Sequence, residues 1–263
     1  MSPTASSLPD DLVAALRRFA TRPGVVVASD FDGCLAPIVA HPSDARADPA
    51  AVATLVELAG LPATTTAIVS GRARADLAGL VSLAVPDPAG LALIGSHGSE
   101  FDDGFAAGIT DEQRALLAAV TAELTAIAHR FPGSMVETKP ASSVLHVRNA
   151  APADAEAALD EARRGPVTRP GVHPTEGKAV IELAVIETGK GHALDLLRER
   201  AGADAVCYLG DDVTDENAFG HLGADDVSIK VGDGDTIARY RIDGPDLVGE
   251  VLSLVRGYRS SIG

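Results

Sequence analysis

Val25-Val-Val-Ala-Ser-Asp30-Phe-Asp32-Gly33 is the stretch that predicts the fold of this 263-residue chain. Small or β-branched apolar residues run into Asp30, a pattern typical of a strand that a parallel sheet buries on both faces. Asp30 and Asp32 stand at the carboxyl end of that strand, two positions apart, so their side chains share one side if the extended geometry persists. Gly33 then lets the backbone turn. Ligands of open α/β sheets bind at this edge, although Asp and Gly are also ordinary turn residues.

Further short apolar runs predict more strands, each followed by polar residues. We expect strands over residues 64–69, 91–94, 205–209 and 227–231. Helical patterns between them predict an α/β fold with a Rossmann-type parallel sheet. The polar segments at the strand ends are Ser70-Gly71-Arg72, Gly95-Ser-His-Gly-Ser-Glu100 and Gly210-Asp211-Asp212-Val-Thr214-Asp215-Glu216. A hydroxyl and a glycine just before a helix, as at Ser70 and Gly71, are suited to binding an oxyanion. The simpler alternative is that they only cap the helix.

From about Gly104 the pattern changes, which predicts an inserted α+β unit. Its predicted elements are helix 110–130, strands within 135–140 and 143–148, helix 152–163 and strand 177–183. Thr110-Asp-Glu-Gln113 is a predicted capping box for the first of these helices. We therefore expect a core made of residues 1–103 and 185–263, and an inserted cap made of residues 104–184, one face of which can close as a lid.

Charge and composition argue against several classes of function. The formal net charge is −15 at pH 7, aromatic residues make up 3% and there is no Trp, so we expect no nucleic-acid partner. The first residues show neither a basic start nor an apolar core, and no apolar run reaches membrane-spanning length. We therefore expect a soluble, cytoplasmic protein with no membrane partner. Cys34 and Cys207 are expected to be buried, reduced thiols.

Carboxylates follow two of the predicted strands, Asp30 and Asp32 after the first and Asp211, Asp212 and Asp215 after a later one. If those strands are neighbours, four or five carboxylates meet in one crevice, and such a cluster requires a cation. Oxygen ligands without His or Cys select Mg²⁺, which also accepts a substrate phosphate as a ligand. The sequence therefore predicts a Mg²⁺ site.

The use of lysine also indicates an anionic ligand. The chain has four lysines against eighteen arginines, and Lys190 stands between two glycines just before a predicted helix. A compact ammonium at that place can neutralise both a phosphate and a carboxylate nucleophile. Lys190 would thus supply the local positive charge that an anionic substrate requires in an acidic protein.

Four motifs, in this order along the chain, resemble those of the haloacid dehalogenase superfamily of phosphohydrolases. They are D-F-D-G at 30–33, S-G-R at 70–72, G-K-G at 189–191 and G-D-D-V-T-D-E at 210–216. Within that superfamily the chain looks like the trehalose-6-phosphate phosphatase family. The supporting segments are L-A-P-I at 35–38, G-S-H-G-S-E at 95–100, E-T-K-P at 137–140, H-V-R at 146–148 and G-K-A-V-I-E at 177–182.

The resemblance implies a division of roles at the strand ends. Asp30 would be the nucleophile that forms an aspartyl-phosphate, and Asp32 would protonate the departing sugar oxygen and later deprotonate water. The phosphate would be held by Ser70, Gly71 and Lys190. Lys190 would also be a catalytic residue. The Mg²⁺ ligands would be Asp30, the Asp32 carbonyl and Asp211, with Asp215 in or near the outer shell.

The resemblance also implies a sugar phosphate as substrate and a functional link to a trehalose-6-phosphate synthase. Residues of the cap would recognise the sugar hydroxyls: Glu137, Lys139, Glu182, His146 and Arg148. We expect the protein to be a monomer.

The chain departs from the family pattern at two places, and two alternative functions are open. Cys34 stands where Thr is most common, and Ala184-Val185 stands where the family often has Arg-Pro after the cap glutamate. One alternative is the same chemistry on another substrate, such as sucrose phosphate, mannosylglycerate phosphate or a hexose phosphate. The other is a phospho-accepting signalling or sugar-phosphate-sensing module. Response-regulator receivers, the model for that second alternative, lack the second Asp and the inserted cap.

Overall fold

The computed structural model of the chain describes residues 8–39, 41–101, 104–105, 110–139, 141–177, 179–186 and 189–261. The chain divides into two compact units. One, here called the core unit, comprises Met1–Ala106 and Gly189–Gly263, and the other, here called the inserted unit, comprises Ala107–Thr188. Pro140 and Lys178, which belong to motifs of the sequence analysis, lie outside the described residues.

The strands of the described residues, in chain order, are β1 (Val25–Ser29), β2 (Thr64–Val69), β3 (Leu91–Ile94), β4 (Glu100–Phe101), β5 (Gly104–Phe105), β6 (Met135–Thr138), β7 (Ser142–His146), β8 (His173–Gly177), β9 (Val180–Ala184), β10 (Ala205–Gly210), β11 (Val227–Val231) and β12 (Tyr240–Ile242). The α-helices are α1 (Asp10–Ala20), α2 (Pro49–Ala59), α3 (Arg74–Ala84), α4 (Asp111–Arg130), α5 (Pro152–Arg164), α6 (Lys190–Ala201), α7 (Val213–Gly220) and α8 (Val248–Ser260).

The core unit is built on a parallel sheet with the strand order β12-β11-β10-β1-β2-β3. Every neighbouring pair in it is parallel. Strand β1 lies between β10 and β2, and each of its five residues is buried, as the opening stretch of sequence predicts. The predicted α/β fold with a parallel sheet is therefore confirmed.

Alternating residues of β1 contribute to two apolar layers, one on each face of the sheet. Val25 and Val27 belong to a cluster that also contains residues of α1, α2, α3 and α8. Val26 and Ala28 belong to a second cluster with residues of α6 and α7. Because successive side chains of a strand point to opposite faces, β1 packs against helices on both sides of the sheet. Asp30 follows at its carboxyl end, flanked by the ends of β10 and β2.

The inserted unit contains an antiparallel sheet with the order β6-β7-β9-β8. One face of the sheet and helices α4 and α5 share an apolar cluster that includes Leu124, Leu145 and Ile181. The predicted capping box is present, because the Gln113 N–H donates to Thr110 Oγ1 over 3.2 Å and the Thr110 N–H donates back to Gln113 Oε1 over 2.9 Å. Strand β8 is not predicted by the sequence analysis, since all its residues are exposed and its pattern is not apolar.

The cysteines and the lengths of the helices can be compared with the expectations drawn from the composition. Cys34 and Cys207 are buried free thiols, as expected. Burial raises the pKa of the Cys207 thiol to about 12 and that of Cys34 well above its ordinary value, so both thiols stay protonated. Throughout the described ranges, the helices are all too short or too polar to span a membrane.

Candidate functional site

A cavity of about 370 Å³ lies at the carboxyl edge of the parallel sheet, within the core unit. Its walls come from the segments that follow β1, β2, β3 and β10 and from the start of α6. The lining residues are Asp30, Asp32, Ile38, Val39, Pro42, Gly71, Arg72, His97, Lys190, Asp211, Asp212 and Thr214. The structure thus brings together residues of all four motifs, three of which were predicted at strand ends and one, G-K-G, just before a helix.

Asp30 is a buried carboxylate at the centre of this edge. Its N–H donates to the Leu209 carbonyl over 2.8 Å, which continues the pairing of β1 with β10. Its Oδ1 accepts from the Phe31 N–H over 2.7 Å, and its Oδ2 lies 2.7 Å from Lys190 Nζ. Burial raises the pKa of Asp30 well above its ordinary value, and Asp215 adds to that shift, whereas Lys190 opposes it. The Lys190 ammonium therefore offsets part of the cost of burying this charge.

Lys190 is the first residue of α6, directly after Gly189, and only 2% of its side chain is exposed. Its Nζ lies 2.7 Å from Asp30 Oδ2 and 2.9 Å from Asp215 Oδ1. Burial disfavours the ammonium, but Asp30 and Asp215 outweigh it, so the pKa of Lys190 rises above its ordinary value. Lys190 is thus a fixed positive charge between the ends of β1 and β10.

Asp215 has both carboxylate oxygens occupied by donors. Its Oδ1 accepts from the Tyr208 hydroxyl over 2.6 Å and from Lys190. Its Oδ2 accepts from the N–H groups of Asp211 and Asp212, each over 3.0 Å. Four donors fill the two lone pairs of each oxygen. Asp215, predicted as a ligand in or near the outer shell of the metal, therefore holds the loop that carries Asp211.

Asp30, Asp211, Asp212 and Asp215 each offer an oxygen within 4.8 Å of the others, and this group could hold a metal ion. Burial, together with Asp215 and Asp212, raises the pKa of Asp211 to about 6. Asp212 caps α7 through hydrogen bonds from the Thr214 N–H and hydroxyl over 2.8 and 2.7 Å. Oxygen donors of this kind suit a hard cation, which would relieve the repulsion among the carboxylates.

Gly33 adopts a left-handed conformation with φ of +78° beside this cluster. A Cβ at this position would overlap the Asp211 carboxylate. The glycine of the first motif is therefore required by a residue of the last motif as well as by its own backbone geometry.

Asp32 makes its main contact on the other side of the cavity. Arg72 donates two hydrogen bonds to it, from Nε to Oδ2 over 2.7 Å and from Nη2 to Oδ1 over 2.6 Å. The guanidinium also lies 5.6 Å from the centre of the Phe31 ring. Asp32 is consequently held at the cavity wall, outside the cluster formed by Asp30 and the three later carboxylates.

Ser70 and Gly71 form a loop that is tied to the segment after β3. Ser70 is buried, and its Oγ accepts from the Arg72 N–H over 3.2 Å. The His97 N–H donates to the Ser70 carbonyl over 2.9 Å, and the Ser96 N–H donates to the Arg72 carbonyl over 2.7 Å. These contacts place the predicted phosphate-binding loop in the wall of the cavity that contains Asp30.

Four residues of this site were given no role by sequence reasoning: Arg72, His97, Tyr208 and Lys230. Lys230 is buried in β11 and donates a hydrogen bond to the carbonyl of Asp211. A signal was present for two of them, since Tyr208 and Lys230 each lie in a mainly apolar predicted strand. Such polar residues in a buried strand need a partner, and the nearby carboxylate loop supplies it.

The inserted unit pairs the residues predicted to bind sugar. Lys139 Nζ donates to Glu182 Oε2 over 3.1 Å, and the Ser142 hydroxyl donates to Glu182 Oε1 over 2.6 Å. His146 Nε2 lies 2.8 Å from Glu137 Oε2. Val144 of β7 lies opposite both Glu137 and Glu182, so the two glutamates lie on the same face of this sheet.

The fifth predicted sugar-binding residue, Arg148, is exposed just beyond the end of β7. Ser142, which was given no role from the sequence, joins this group through its hydrogen bond to Glu182.

Comparison with known proteins agrees with these features. The chain matches the trehalose-phosphatase family over residues 28–245. It is 36% identical to the trehalose-phosphate phosphatase of Mycobacterium marinum, over 98% of this chain and 68% of that protein. It is 36% identical to the trehalose-phosphate phosphatase of Mycobacterium tuberculosis, over 93% of this chain and 65% of that protein.

The fold is also similar to that of a solved structure. Aspergillus fumigatus trehalose-6-phosphate phosphatase superposes with a TM-score of 0.74 at 25% identity, covering 96% of this chain and 99% of that chain. The resemblance inferred from the motifs is confirmed, and the chain belongs to the trehalose-phosphatase family of phosphatase enzymes.

Proposed function

We propose that this protein is a Mg²⁺-dependent phosphatase that hydrolyses trehalose 6-phosphate to trehalose and phosphate through an aspartyl-phosphate on Asp30. The observation that carries the proposal is the buried contact of 2.7 Å between Asp30 and Lys190, beside clustered carboxylates in one cavity. A nucleophilic carboxylate and a fixed ammonium at one point suit attack on a phosphoryl group. The identity of the substrate is inferred from the relatives named above, which are trehalose-phosphate phosphatases.

In the first half of the reaction an Asp30 oxygen attacks phosphorus, and the bond from phosphorus to the sugar oxygen breaks. The protonated carboxyl of Asp32 gives its proton to the leaving oxygen, so trehalose departs as a neutral alcohol. Lys190 stabilises the negative charge on the phosphoryl oxygens. Arg72 donates to both oxygens of Asp32 in the structure, so one of these hydrogen bonds gives way when an oxygen of Asp32 carries the proton.

In the second half a water molecule attacks the phosphorus of the aspartyl-phosphate. Asp32 takes a proton from that water, phosphate leaves and the Asp30 carboxylate is restored. Ser70 and Gly71 hold the phosphoryl oxygens with a hydroxyl and an N–H group. Asp32 thus acts as the acid in the first half and as the base in the second, so it carries a proton again at the end of the cycle.

The donor set fits Mg²⁺, because the candidate ligands are all oxygens. Asp30, the Asp32 carbonyl and Asp211 would hold the ion, and Asp215 positions Asp211 by accepting its N–H. When bound, Mg²⁺ supplies positive charge that neutralises these carboxylates and the phosphoryl oxygens.

Sugar recognition is assigned to the cap, for which we propose residues 104–184; this segment overlaps most of the inserted unit, Ala107–Thr188. Glu137, Lys139 and Glu182 offer acceptors and a donor, and His146 and Arg148 extend this group. A disaccharide carries many hydroxyls and no charge apart from its phosphate. Paired carboxylates and cations on one unit therefore suit discrimination among sugars.

Phosphate release from trehalose 6-phosphate in the presence of Mg²⁺ tests this function. We expect turnover by the natural protein, no turnover in excess EDTA and none for Asp30→Asn, which keeps the shape of the side chain but removes the nucleophile. Asp225→Asn is the matched control, because Asp225 is an exposed residue paired with Arg22 and takes no part in the cavity. Full activity of Asp30→Asn, or full activity in EDTA, would contradict the proposal.

A further inference from the structure

The turn after β3 contains two consecutive non-glycine residues in the left-handed region. Ser96 has φ of +49° and His97 has φ of +55°. Residues with a Cβ rarely adopt this conformation, and it persists only where surrounding contacts impose it. Such residues are found preferentially at functional sites.

Hydrogen bonds to two neighbouring segments hold the turn. The His97 and Ser96 N–H groups donate to the carbonyls of Ser70 and Arg72. The Ser96 hydroxyl donates to Glu100 Oε2 over 2.9 Å, and the same oxygen accepts from the Arg74 N–H over 2.8 Å. The turn is therefore fixed to the Ser70–Arg72 loop and to the start of α3.

The result of this arrangement is the position of the His97 ring. A Cβ on Gly71 would lie 2.5 Å from His97 Cε1 and 2.8 Å from Nε2, so only glycine at 71 leaves room for the ring. The ring lines the same cavity as Asp30 and Lys190. Both the strained turn and the glycine thus serve to bring an imidazole to the wall next to the proposed phosphate loop.

We propose that His97 contacts the substrate and donates a hydrogen bond to an oxygen of its phosphoryl group. This inference rests on the proposed function of the cavity. An imidazole carries an N–H donor in both its neutral and its protonated form. Because the ring packs on Gly71 and shares the cavity with the nucleophile, it lies at the reacting end of the substrate.

Two substitutions at this position test the proposal without disturbing the turn. His97→Gly removes the ring, and glycine adopts positive φ readily, so the variant should fold. His97→Asn keeps a donor on a residue type that tolerates this region. Ala63→Gly is the matched control, because Ala63 also adopts a positive φ, of +48°, and does not line the cavity.

The measurements are kcat/KM on trehalose 6-phosphate and on p-nitrophenyl phosphate, inhibition by inorganic phosphate, and the unfolding temperature. For His97→Gly we expect kcat/KM to fall by roughly ten- to a hundredfold on both substrates, as loss of a hydrogen bond to a charged oxygen implies. Inhibition by inorganic phosphate should weaken as well. His97→Asn should recover part of the loss, and Ala63→Gly should resemble the natural protein.

Three results would overturn the proposal. Unchanged kinetics of His97→Gly on both substrates would show that the ring makes no useful contact. A loss on trehalose 6-phosphate alone, with phosphate inhibition unchanged, would place the contact on the sugar. A loss that comes with a lower unfolding temperature would make the role structural. If the natural protein hydrolyses p-nitrophenyl phosphate but not trehalose 6-phosphate, the proposed substrate is wrong. Hydrolysis of p-nitrophenyl phosphate and inhibition by inorganic phosphate then still test the role of His97.

Discussion

Replacing Tyr208 with Phe should destabilise the protein through one hydrogen bond. Tyr208 lies in β10, and its hydroxyl donates to Asp215 Oδ1 over 2.6 Å. Both side chains are fully buried, at 0% exposure. Burial, reinforced by the nearby carboxylates of Asp215 and Asp30, raises the pKa of Tyr208 well above its ordinary value, so the hydroxyl remains a donor at neutral pH.

The size of the effect follows from the charge of the acceptor. Removing a donor from a buried carboxylate costs about 1.5–3 kcal/mol, more than a neutral hydrogen bond. Water cannot replace the hydroxyl at a fully buried position, whereas Asp215 keeps its contacts with Lys190 and with the N–H groups of Asp211 and Asp212. We therefore expect Tyr208→Phe to fold with a free energy of unfolding lower by about 1.5–3 kcal/mol.

Urea unfolding followed by circular dichroism measures this difference. Tyr258→Phe is the matched control, since Tyr258 lies on α8 and is only half-buried. Its substitution should change the free energy of unfolding by less than about 0.5 kcal/mol. Equal stability of Tyr208→Phe and the natural protein would refute the assignment of Asp215 as a carboxylate held by four donors. Equal losses in both variants would show that the effect is not specific to this site.

Two other predictions concern the metal cluster and the sugar. Gly33→Ala should abolish phosphatase activity and Mg²⁺ binding measured by calorimetry, because the new Cβ would displace the Asp211 carboxylate; Gly257→Ala, a helical position with open space, should be neutral or stabilising by up to about 1 kcal/mol. Activity and Mg²⁺ affinity unchanged in Gly33→Ala would contradict the first prediction. Glu137→Ala and Lys139→Ala should each lower kcat/KM on trehalose 6-phosphate roughly ten- to a hundredfold and leave p-nitrophenyl phosphate hydrolysis nearly unchanged. Equal losses on both substrates would mean that these residues support folding instead.

Much of the fold could be predicted because its signals are local. The buried strand β1, the carboxylates after it and the capping box of α4 each depend on a few adjacent residues. Strands β8 and β12 were not predicted, since one is exposed throughout and the other is three residues long at the edge of the sheet. Short edge strands carry little apolar pattern.

The pairing of charged side chains was harder to predict, because it depends on register between distant segments. The sequence indicates that Asp32 lies at a strand end, but its bidentate partner Arg72 is 40 residues away. Similarly, Lys139 pairs with Glu182 across 43 residues. The sequence also predicted that the carboxylates converge. It did not predict that both oxygens of Asp215 would accept hydrogen bonds from four donors.

The substrate preference of the natural protein is the most direct test of the proposed function. We would measure kcat/KM in Mg²⁺ for trehalose 6-phosphate, glucose 6-phosphate, sucrose phosphate and mannosylglycerate phosphate. The proposed hydrogen bonds from the inserted unit to the sugar hydroxyls should favour trehalose 6-phosphate by at least about tenfold over each of the others. Equal values across the panel, or a higher value for another sugar phosphate, would contradict the assignment of trehalose 6-phosphate as the substrate.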